Sequence, residues 1–423
     1  MNVLVIGGGG REHTLCWKLK QSENCDTLYA APGNAGTANC AVNLPIGVNN
    51  FEGIKEAVIN HNIHLVIVGP EEPLVNGIHD FFLNDNYLAK VGVIGPEKLA
   101  ATLEGSKAFA KEFMIRHNIP TAAYAEFTSE TILEGERFLE KNTSPYVLKA
   151  DGLAAGKGVL IIEDLETAKV ELREMLLENK FGTASSKVVI EEFLEGIELS
   201  CFVLTDGTSY LTLPMAKDYK RIGEGDTGLN TGGMGAVSPV PFVTEEFKEK
   251  IEKRIIKPTI EGLKKDRMPF KGFVFIGLIK VGEDPKVIEY NVRLGDPETE
   301  VVIPRIKNDL LALFQAVNEE RLGEINLEID SSTAATVVAV SAGYPEAYEK
   351  GKEISGLDQV KDKMIFHAGT NKKGNKILTS GGRVLAVTSF GDENKEAIKK
   401  AYETLNKISY EGITFRKDIG SDL

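Results

Sequence analysis

A short apolar strand at residues 3–6, the four glycines 7–10 and a helical pattern at 12–20 open the chain. Strand, glycine turn and helix in this order are typical of an α/β unit. Further buried-strand runs alternate with helical patterns; they lie at 27–31, 65–68 and 91–94. Because strands that alternate with helices form parallel sheets covered on both faces, we expect an amino-terminal parallel α/β domain.

Two further regions follow this domain. Strand patterns at 146–149 and 159–162 enclose a glycine-rich turn, which predicts a mobile lid. From residue 333, two strands and the amphipathic helix 393–408 predict a small α+β domain. We therefore expect three domains, at residues 1–101, 102–326 (with a lid subdomain at about 122–193) and 327–423.

Composition excludes several classes of protein. The 423 residues are 42% hydrophobic and 26% charged, as in an ordinary soluble protein of two to four domains. A formal net charge of −13 disfavours nucleic-acid binding. No apolar run is long enough to span a membrane, and no leader pattern follows Met1, so we expect a cytoplasmic location. Four irregularly spaced cysteines disfavour a zinc site or a disulfide framework.

The segment 287–298 carries the clearest chemistry. Glu289, Asn291 and Arg293 occupy every second position of an apolar run. Because side chains alternate along a strand, the three are expected to project from one face. Carboxylate and amide oxygens suit Mg²⁺ with nucleotide phosphates, and arginine suits a carboxylate or phosphate. The segment therefore predicts a metal site beside an anion site.

The first glycine cluster does not fit a dinucleotide-binding motif. Glu12 stands where the third glycine would be, and the second strand ends at Pro32 rather than at a ribose-binding acid. A NAD oxidoreductase is therefore disfavoured. Gly9 and Gly10 before a helix, with Arg11 beside them, can still bind a phosphate through backbone N–H groups.

A second glycine-rich turn lies at 149–158. Its spacing differs from that of a P-loop, because Gly158 stands where a Ser or Thr would hold Mg²⁺. Small residues on a hairpin can instead fold over a triphosphate, while Lys149 and Lys157 supply positive charge. The turn predicts phosphate binding under a mobile loop.

Two more segments suggest nucleotide contacts. The strand pattern 188–192 runs into an apolar linker, whose backbone could pair with an adenine edge while Glu198 holds ribose hydroxyls. The loops 217–221 and 230–235 concentrate charges and glycines where packing does not require them, which is typical of ligand contact.

Taken together, these motifs resemble those of the phosphoribosylamine-glycine ligase family, also called glycinamide ribonucleotide synthetases, within the ATP-grasp superfamily. The resemblance spans the whole chain. The matching segments are 8–13, 31–37, 68–71, 104–107, 149–158, 230–235, 293–299, 366–370 and 416–420.

The resemblance implies an ATP-grasp core with a lid between the two outer domains. It also implies that ATP drives the ligation of glycine to 5-phosphoribosylamine, giving glycinamide ribonucleotide, ADP and phosphate in de novo purine biosynthesis. Glycyl phosphate would be the intermediate. The implied cofactors are ATP and Mg²⁺ or Mn²⁺, and the implied partners are these small substrates, without nucleic acid or membrane. We expect a monomer.

The resemblance also implies a role for particular residues. Nucleotide contacts would come from Lys107, Lys149, Gly156, Lys157, Gly158, Glu191, Glu192, Phe193, Leu194, Glu198, Arg221 and Asn230. Glu289 and Asn291 would hold the metal. Arg293, Asp218 and Lys149 would be catalytic, with glycine at Arg293 and Asp218. The other substrate contacts would come from Gly9, Gly10, Arg11, Gly33, Asn34 and Asp296.

Some positions depart from the family pattern: Tyr219 where His is common, Leu229 where Pro is common and Glu300 where Gln is common. None of these removes an implied ligand. The strand at 272–280 offers no second metal-binding acid, so the completion of the metal site stays open. Two alternatives also stay open: another ATP-grasp ligase or carboxylase, and a catalytically silent ATP-binding regulator.

Overall fold

The amino-terminal domain is built on a five-stranded parallel sheet. The computed structural model describes residues 1–154, 158–361 and 363–423. The sheet has the order β3-β2-β1-β4-β5. Its strands are Asn2–Gly7 (β1), Thr27–Pro32 (β2), Val42–Asn43 (β3), Ile63–Val68 (β4) and Gly92–Ile94 (β5). The apolar residues of β1 are fully buried, as the covered parallel sheet requires, so the predicted α/β domain is confirmed.

Five helices accompany this sheet, and α6 leads out of it. They are Gly10–Leu19 (α1), Phe51–Asn60 (α2), Glu71–Val75 (α3), Ile78–Leu83 (α4) and Lys98–Gly105 (α5), followed by Lys107–Arg116 (α6). Helix α1 begins directly after the glycine cluster, with Gly9 as its N-cap residue. Asn50 and Ser106 cap α2 and α6 by accepting backbone N–H groups through their side chains.

The next region, which we call the β6–β9 subdomain, is an antiparallel sheet with the order β6-β9-β7-β8. Its elements are Tyr124–Thr128 (β6), Ile132–Lys141 (α7), Tyr146–Ala150 (β7), Val159–Ile162 (β8), Leu165–Glu178 (α8) and Lys187–Glu191 (β9). Helices α7 and α8 pack on this sheet around Leu139, Leu172 and Met175, which form a core of its own. The predicted glycine-rich turn joins β7 to β8.

The central region holds a second antiparallel sheet, with the order β11-β10-β16-β17. Its strands are Ile197–Thr205 (β10), Tyr210–Thr212 (β11), Gly272–Val281 (β16) and Asp284–Asn291 (β17). Four short strands lie between β11 and β16 in the chain: Lys217–Asp218 (β12), Arg221–Gly223 (β13), Thr227–Asn230 (β14) and Gly235–Ser238 (β15). The helices are Glu245–Ile251 (α9), Lys257–Lys265 (α10), Thr299–Arg305 (α11) and Leu310–Asn318 (α12). A π-helical turn, Glu252–Ile256, joins α9 to α10.

The carboxy-terminal region completes the chain with Thr333–Ser341 (β18), Met364–His367 (β19), Thr370–Lys373 (β20), Lys376–Thr379 (β21), Arg383–Gly391 (β22), Asn394–Leu405 (α13) and Ile413–Thr414 (β23). Its main sheet has the order β12-β15-β18-β22-β19, with β23 paired to β18. Strands β12 and β15 come from the central region, so this sheet ties the two regions together. Single 3₁₀ turns lie at Thr37–Asn39, Leu88–Lys90, Ser129–Thr131, Gly182–Ser186, Leu322–Glu324 and Leu357–Val360.

Two apolar clusters each contain residues from more than one region. One apolar cluster joins Leu4 and Val66 of the amino-terminal sheet to Ile276 and Val287 of the central sheet. A second joins Val5 and Leu15 to the helices α11 and α12. Within the described ranges, no helix combines the length and the apolar character that crossing a membrane demands.

Candidate active site

A cavity of about 910 Å³, here called the large cavity, lies where the β6–β9 subdomain, the central sheet and the amino-terminal domain meet. Ala154 and Gly158 line it from the β7–β8 turn, and Glu289 and Asn291 line it from β17. The amino-terminal domain contributes Arg11. The fold therefore brings three distant parts of the chain around one space.

Strand β17 supplies the predicted metal residues. Glu289 pairs with Gly277 and Asn291 with Phe275, and the register shifts just before Glu289, so that Ile288 forms a bulge. Lys149 Nζ lies 3.4 Å from the carbonyl oxygen of Ile288. Bulges next to a site commonly redirect side chains. In agreement with this, two consecutive residues of the strand, Ile288 and Glu289, both line the large cavity.

Arg293 reaches the same cavity by another route. Strand β17 ends at Asn291, so the prediction that a single strand carries all three side chains is wrong in its extent. Arg293 follows the strand, and its Nη2 donates to Asn291 Oδ1 at 3.2 Å and lies 2.8 Å from Glu104 Oε1. Its Nε lies 3.4 Å from Glu71 Oε2 without a hydrogen bond. These contacts hold the guanidinium in place, and its Nε–H is left without a hydrogen-bond partner among the described residues.

The oxygen atoms of Glu289 and Asn291 fit a metal that arrives with a nucleotide. Among the described residues, no group of three or more His, Cys, Asp or Glu is placed to hold a metal ion. A nucleotide-bound Mg²⁺ does not require such a cluster, because phosphates and water supply most of its ligands and one or two side chains complete it. The amide nitrogen of Asn291 is buried without a partner, so its rotamer leaves hydrogen-bonding capacity unused.

A buried charged triad lies at the end of β9. Glu191 Oε1 is 2.9 Å from Lys149 Nζ, and Glu191 Oε2 is 3.1 Å from Lys111 Nζ. All three residues line the large cavity. Burial lowers the pKa of Lys111 to about 8, although Glu191 favours its charged form. The carboxylate of Glu191 therefore forms ion pairs with two lysines, and Lys111 is a cavity residue that the sequence did not predict.

A second charged group surrounds Asp218. Lys220 Nζ donates to Glu198 Oε2 at 2.7 Å, and Lys220 lowers the pKa of Glu198. Burial raises the pKa of Asp218 to about 7, with Lys220 opposing and the acids Glu298 and Glu198 adding to the shift. A carboxyl group that titrates near neutral pH can exchange a proton with a ligand in the cavity.

The hairpin β13–β14 forms one wall of the large cavity and is fixed by the end of the chain. Arg221, Asp226 and Asn230 of the hairpin line the cavity. Arg416, whose side chain is 2% exposed, lies 2.6 Å from Asp226 Oδ1 and donates to the carbonyl oxygen of Arg221 at 3.2 Å. Asp418 accepts two further hydrogen bonds from Arg416.

A small cavity of about 330 Å³ lies between the amino-terminal and carboxy-terminal regions. Gly9, Gly33 and Asn34 line one side of it, as the substrate prediction implies. The other side was not predicted. It consists of Tyr344, Ala368, Gly369, Thr370, Ser380, Gly381 and Arg383.

Asp296 and Arg383 line both cavities. Arg383 Nη1 lies 2.9 Å from Asp296 Oδ1, and Asp296 Oδ2 accepts from the backbone N–H of Arg11 at 3.2 Å. Burial would raise the pKa of Asp296, but Arg383 and Arg11 hold it below its ordinary value. The ion pair of Asp296 and Arg383 therefore lies between the two cavities and lines both of them.

Most predicted site residues line one of the two cavities. In the large cavity these are Arg11, Lys107, Lys149, Gly158, Glu191, Glu198, Asp218, Arg221, Asn230, Glu289, Asn291, Arg293 and Asp296. Glu192, Phe193 and Leu194 are absent from both linings, and Phe193 is 39% exposed. Gly10 packs against Glu300 instead of lining a cavity. Gly156 and Lys157 lie outside the described residues.

Some cavity residues that were not predicted nevertheless lie in segments that the sequence marks as functional. Glu104 and Thr370 lie inside segments that match the family, 104–107 and 366–370, and Lys220 lies in a charged loop. Nothing in the sequence marks Lys111, Ser380 or Arg383, because only the fold brings them to a cavity.

Comparison with known families decides what kind of protein has this arrangement. Residues 1–104 match the N domain of phosphoribosylglycinamide synthetase, residues 105–299 its ATP-grasp (A) domain and residues 334–422 its C domain. The chain belongs to the phosphoribosylglycinamide synthetase family. The three-domain ATP-grasp architecture expected from the sequence is thereby confirmed.

Named members of the phosphoribosylglycinamide synthetase family are similar over the whole chain. A phosphoribosylamine--glycine ligase from Vibrio vulnificus is 46% identical and covers 99% of this chain and 98% of its own. A bifunctional purine biosynthetic protein from Pichia angusta is also 46% identical over 99% of the chain, which spans 53% of that longer protein. The crystal structure of a phosphoribosylamine--glycine ligase from Thermotoga maritima has a TM-score of 0.85 at 36% identity and covers 99% of this chain and 100% of its own.

Proposed function

We propose that this protein ligates glycine to 5-phosphoribosylamine with ATP, giving glycinamide ribonucleotide, ADP and phosphate in purine biosynthesis. The observation that carries the proposal is the large cavity, where the oxygen donors Glu289 and Asn291 adjoin Arg293 on a chain that matches all three family domains. Lysines that line the same cavity supply positive charge. These are the groups that transfer of a phosphoryl group to a carboxylate requires.

ATP would lie in the large cavity beneath the β7–β8 turn. Lys107 and Lys149 line that cavity and can offset the charge of the phosphates, and Lys107 Nζ donates to the carbonyl oxygen of Gly152 in the turn. Arg221 and Asn230 line the cavity from the hairpin β13–β14. Glu289 and Asn291 would hold Mg²⁺ or Mn²⁺, which when bound neutralises part of the triphosphate charge.

Glycine would lie beside Arg293. The guanidinium is oriented by Glu104, Glu71 and Asn291, and its Nε has no hydrogen-bond partner among the described residues. A glycine carboxylate is a poor electrophile, so an amine cannot displace its oxygen without activation. Transfer of the γ-phosphoryl group to the carboxylate gives glycyl phosphate, which has phosphate as its leaving group.

The phosphoribosylamine nitrogen then attacks the acyl carbon, the bond to phosphate breaks, and the attacking nitrogen loses a proton. Asp218 lines the large cavity, and its pKa of about 7, raised by burial, suits it to accept that proton. Because water would hydrolyse glycyl phosphate, the turn between β7 and β8 would close over the cavity as a lid during the reaction.

The test is release of ADP from the full-length protein, with ATP, Mg²⁺, glycine and freshly generated phosphoribosylamine, leaving out one component at a time. We expect ADP release to require all four components. ADP release that persists without glycine but requires another acid would identify a related ligase or carboxylase. Nucleotide binding without ADP release under any combination would identify a silent ATP-binding regulator and refute the proposed reaction.

A further inference from the structure

Lys217 is a cation in the wall of the large cavity that the proposed function leaves without a role. It lies in the short strand β12, next to Asp218, and its side chain is 11% exposed. Lys220 lowers the pKa of Glu198, the implied ribose residue, and the charge of Lys217 adds to this effect. Lys217 is therefore a largely buried cation on the side of the cavity where the sugar of a nucleotide would lie.

Asp422 of the carboxy-terminal region fixes the ammonium group of Lys217. Lys217 Nζ donates to Asp422 Oδ2, and across residues 1–154, 158–361 and 363–423 it has no other hydrogen-bond acceptor. Burial would raise the pKa of Asp422, but Lys217 and Tyr219 hold it below its ordinary value. Asp422 also lines the large cavity. Because an ammonium group has three N–H donors, two of those of Lys217 are left for a ligand in the cavity.

Tyr219 supplies the second contact to Asp422. Its side chain is buried, its hydroxyl donates to Asp422 Oδ1 at 2.6 Å, and its ring centroid lies 4.9 Å from Lys217 Nζ. The family pattern has His at position 219, and an imidazole ring carries no phenol oxygen, so this contact depends on the residue of this chain. Ile419, which is 2% exposed, anchors the segment before Asp422 in the carboxy-terminal core. Both oxygens of Asp422 are thus occupied, and the carboxylate is held in one position.

From these contacts we propose that Asp422 is a positioning residue for nucleotide binding: it holds Lys217 so that the free N–H groups of Lys217 contact oxygen atoms of the nucleotide. The identification of that nucleotide as ATP rests on the proposed function. Asp422 acts through Lys217 and does not touch the nucleotide, because Lys217 and Tyr219 use its two oxygens. The carboxy-terminal region thereby takes part in the nucleotide site, although the match to the ATP-grasp domain ends at residue 299.

The test is binding of a non-hydrolysable ATP analogue with Mg²⁺ to the full-length protein, measured by isothermal titration calorimetry. Asp422→Asn removes the charge with little change of shape, at a side chain that is 45% exposed. We expect Asp422→Asn and Lys217→Gln each to weaken binding about tenfold, the scale of one hydrogen bond to a charged group. Asp392→Asn is the matched control, at an exposed position of the same region that lines neither cavity, and should bind as the wild type does.

A double variant decides whether Asp422 acts through Lys217. We expect Asp422→Asn to cause no further loss of affinity in a protein that already carries Lys217→Gln, because the group that Asp422 positions is then absent. An additional loss of about tenfold in the double variant would mean that Asp422 acts independently of Lys217, and it would overturn the proposal. Wild-type affinity in the single variant Asp422→Asn would overturn it as well.

Steady-state kinetics distinguish positioning of Lys217 from a merely structural role of Asp422. In a protein that passes the ADP-release test, Asp422→Asn should raise the KM for ATP about tenfold and leave kcat and the KM for glycine within about twofold of the wild type. Equal rises in the KM values for ATP and glycine would assign Asp422 to domain packing and overturn the proposal. Binding of the ATP analogue needs neither glycine nor turnover, so a protein that fails the ADP-release test can still show the coupling of Asp422 to Lys217.

Discussion

At the scale of single residues, Glu300 is the least satisfied group at the junction of the domains. It lies at the second position of α11, is fully buried, and neither carboxylate oxygen has a hydrogen-bond partner among the described residues. Burial and the neighbouring Asp296 raise its pKa well above the ordinary value. The native state therefore holds a proton on Glu300 at pH values where the unfolded chain has released it.

Glu300→Gln is expected to stabilise the protein at pH 8. Because the folded pKa is raised, the stability that Glu300 contributes is present below its unfolded pKa near 4.5 and is lost as the pH rises. A neutral amide avoids this loss and should gain roughly 1 kcal/mol or more at pH 8, with a smaller gain at pH 5. Urea unfolding at both pH values measures it. Glu261→Gln, at a side chain 67% exposed, is the control, and equal effects of both substitutions would contradict the prediction.

Glu289 and Asn291 are the residues on which the proposed phosphoryl transfer depends most. Their oxygen atoms line the large cavity next to Arg293. We expect Glu289→Ala and Asn291→Ala each to lower kcat by roughly 10²-fold, as the loss of one charge-stabilising group in an active site commonly does. Steady-state ADP release measures kcat, and far-UV circular dichroism checks the fold. Glu283→Ala, at an exposed turn before β17, is the control; near-normal kcat in folded variants at 289 and 291 would remove this metal site.

At the scale of elements, the hairpin β13–β14 depends on one buried arginine. Arg416 binds Asp226 and the carbonyl oxygen of Arg221 on the hairpin, and its guanidinium lies 5.3 Å from the ring centroid of Tyr219. Asp418, which also binds Arg416, accepts from the backbone N–H of Gly225 at 2.7 Å. These contacts hold a hairpin whose own two strands pair at only a few positions.

Arg416→Met is therefore expected to loosen the hairpin without unfolding the amino-terminal domain. Amide hydrogen exchange should accelerate at residues 221–230, and affinity for an ATP analogue should fall because Arg221 and Asn230 lose their fixed positions. The free energy of unfolding should fall by about 2 kcal/mol, the scale of hydrogen bonds to a charged group. Arg321→Met, at a side chain 55% exposed, is the matched control. Unchanged amide hydrogen exchange at residues 221–230 would show that the hairpin is stable without Arg416.

The elements differ in how far the sequence predicts them. Apolar strands alternating with helices predicted the parallel sheet, because burial on both faces leaves a strong local pattern. The length of β17 was overestimated, since alternation of polar residues continues past the last paired residue, Asn291. The crossing of β12 and β15 into the carboxy-terminal sheet was not predicted. Strand pairing over such a distance depends on tertiary packing, which a local pattern does not record.

At the scale of the whole molecule, local sequence patterns predict the site only where its residues lie close together in the chain. The large cavity was largely predictable, because its donors lie in compact motifs such as 289–293 and 217–221. The small cavity was predicted on one side only. Its other side combines Thr370, Ser380 and Arg383, whose relation to Gly9 and Asn34 arises only when the terminal domains meet.

The junction of the terminal domains contains two buried histidines. His13 of α1 and His367 of β19 are 7% and 5% exposed. His13 Nδ1 accepts from the backbone N–H of His367 at 2.8 Å, and Asn34 donates to the carbonyl oxygen of His367 at 2.6 Å. Burial, with His367 adding to it, lowers the pKa of His13 to about 3, and burial lowers that of His367 to about 4. Both rings are thus neutral in the native state.

This neutrality predicts how the junction responds to acid. The unfolded chain binds a proton at each histidine near pH 6.5, whereas the native state does not until about pH 4, so the histidines' contribution to stability falls as the pH falls through that window. Each contributes up to about 1.4 kcal/mol per pH unit. In His13→Gln, the amide oxygen can still accept the hydrogen bond from the backbone N–H of His367. Between pH 6.5 and 4.5, the unfolding free energy of this variant should change less with pH than that of the wild type, by up to about 1.4 kcal/mol per pH unit. Urea unfolding across this range measures it, with the exposed His64→Gln as control. Parallel pH curves for His13→Gln and the wild type would mean that the His13 ring is already charged inside the fold.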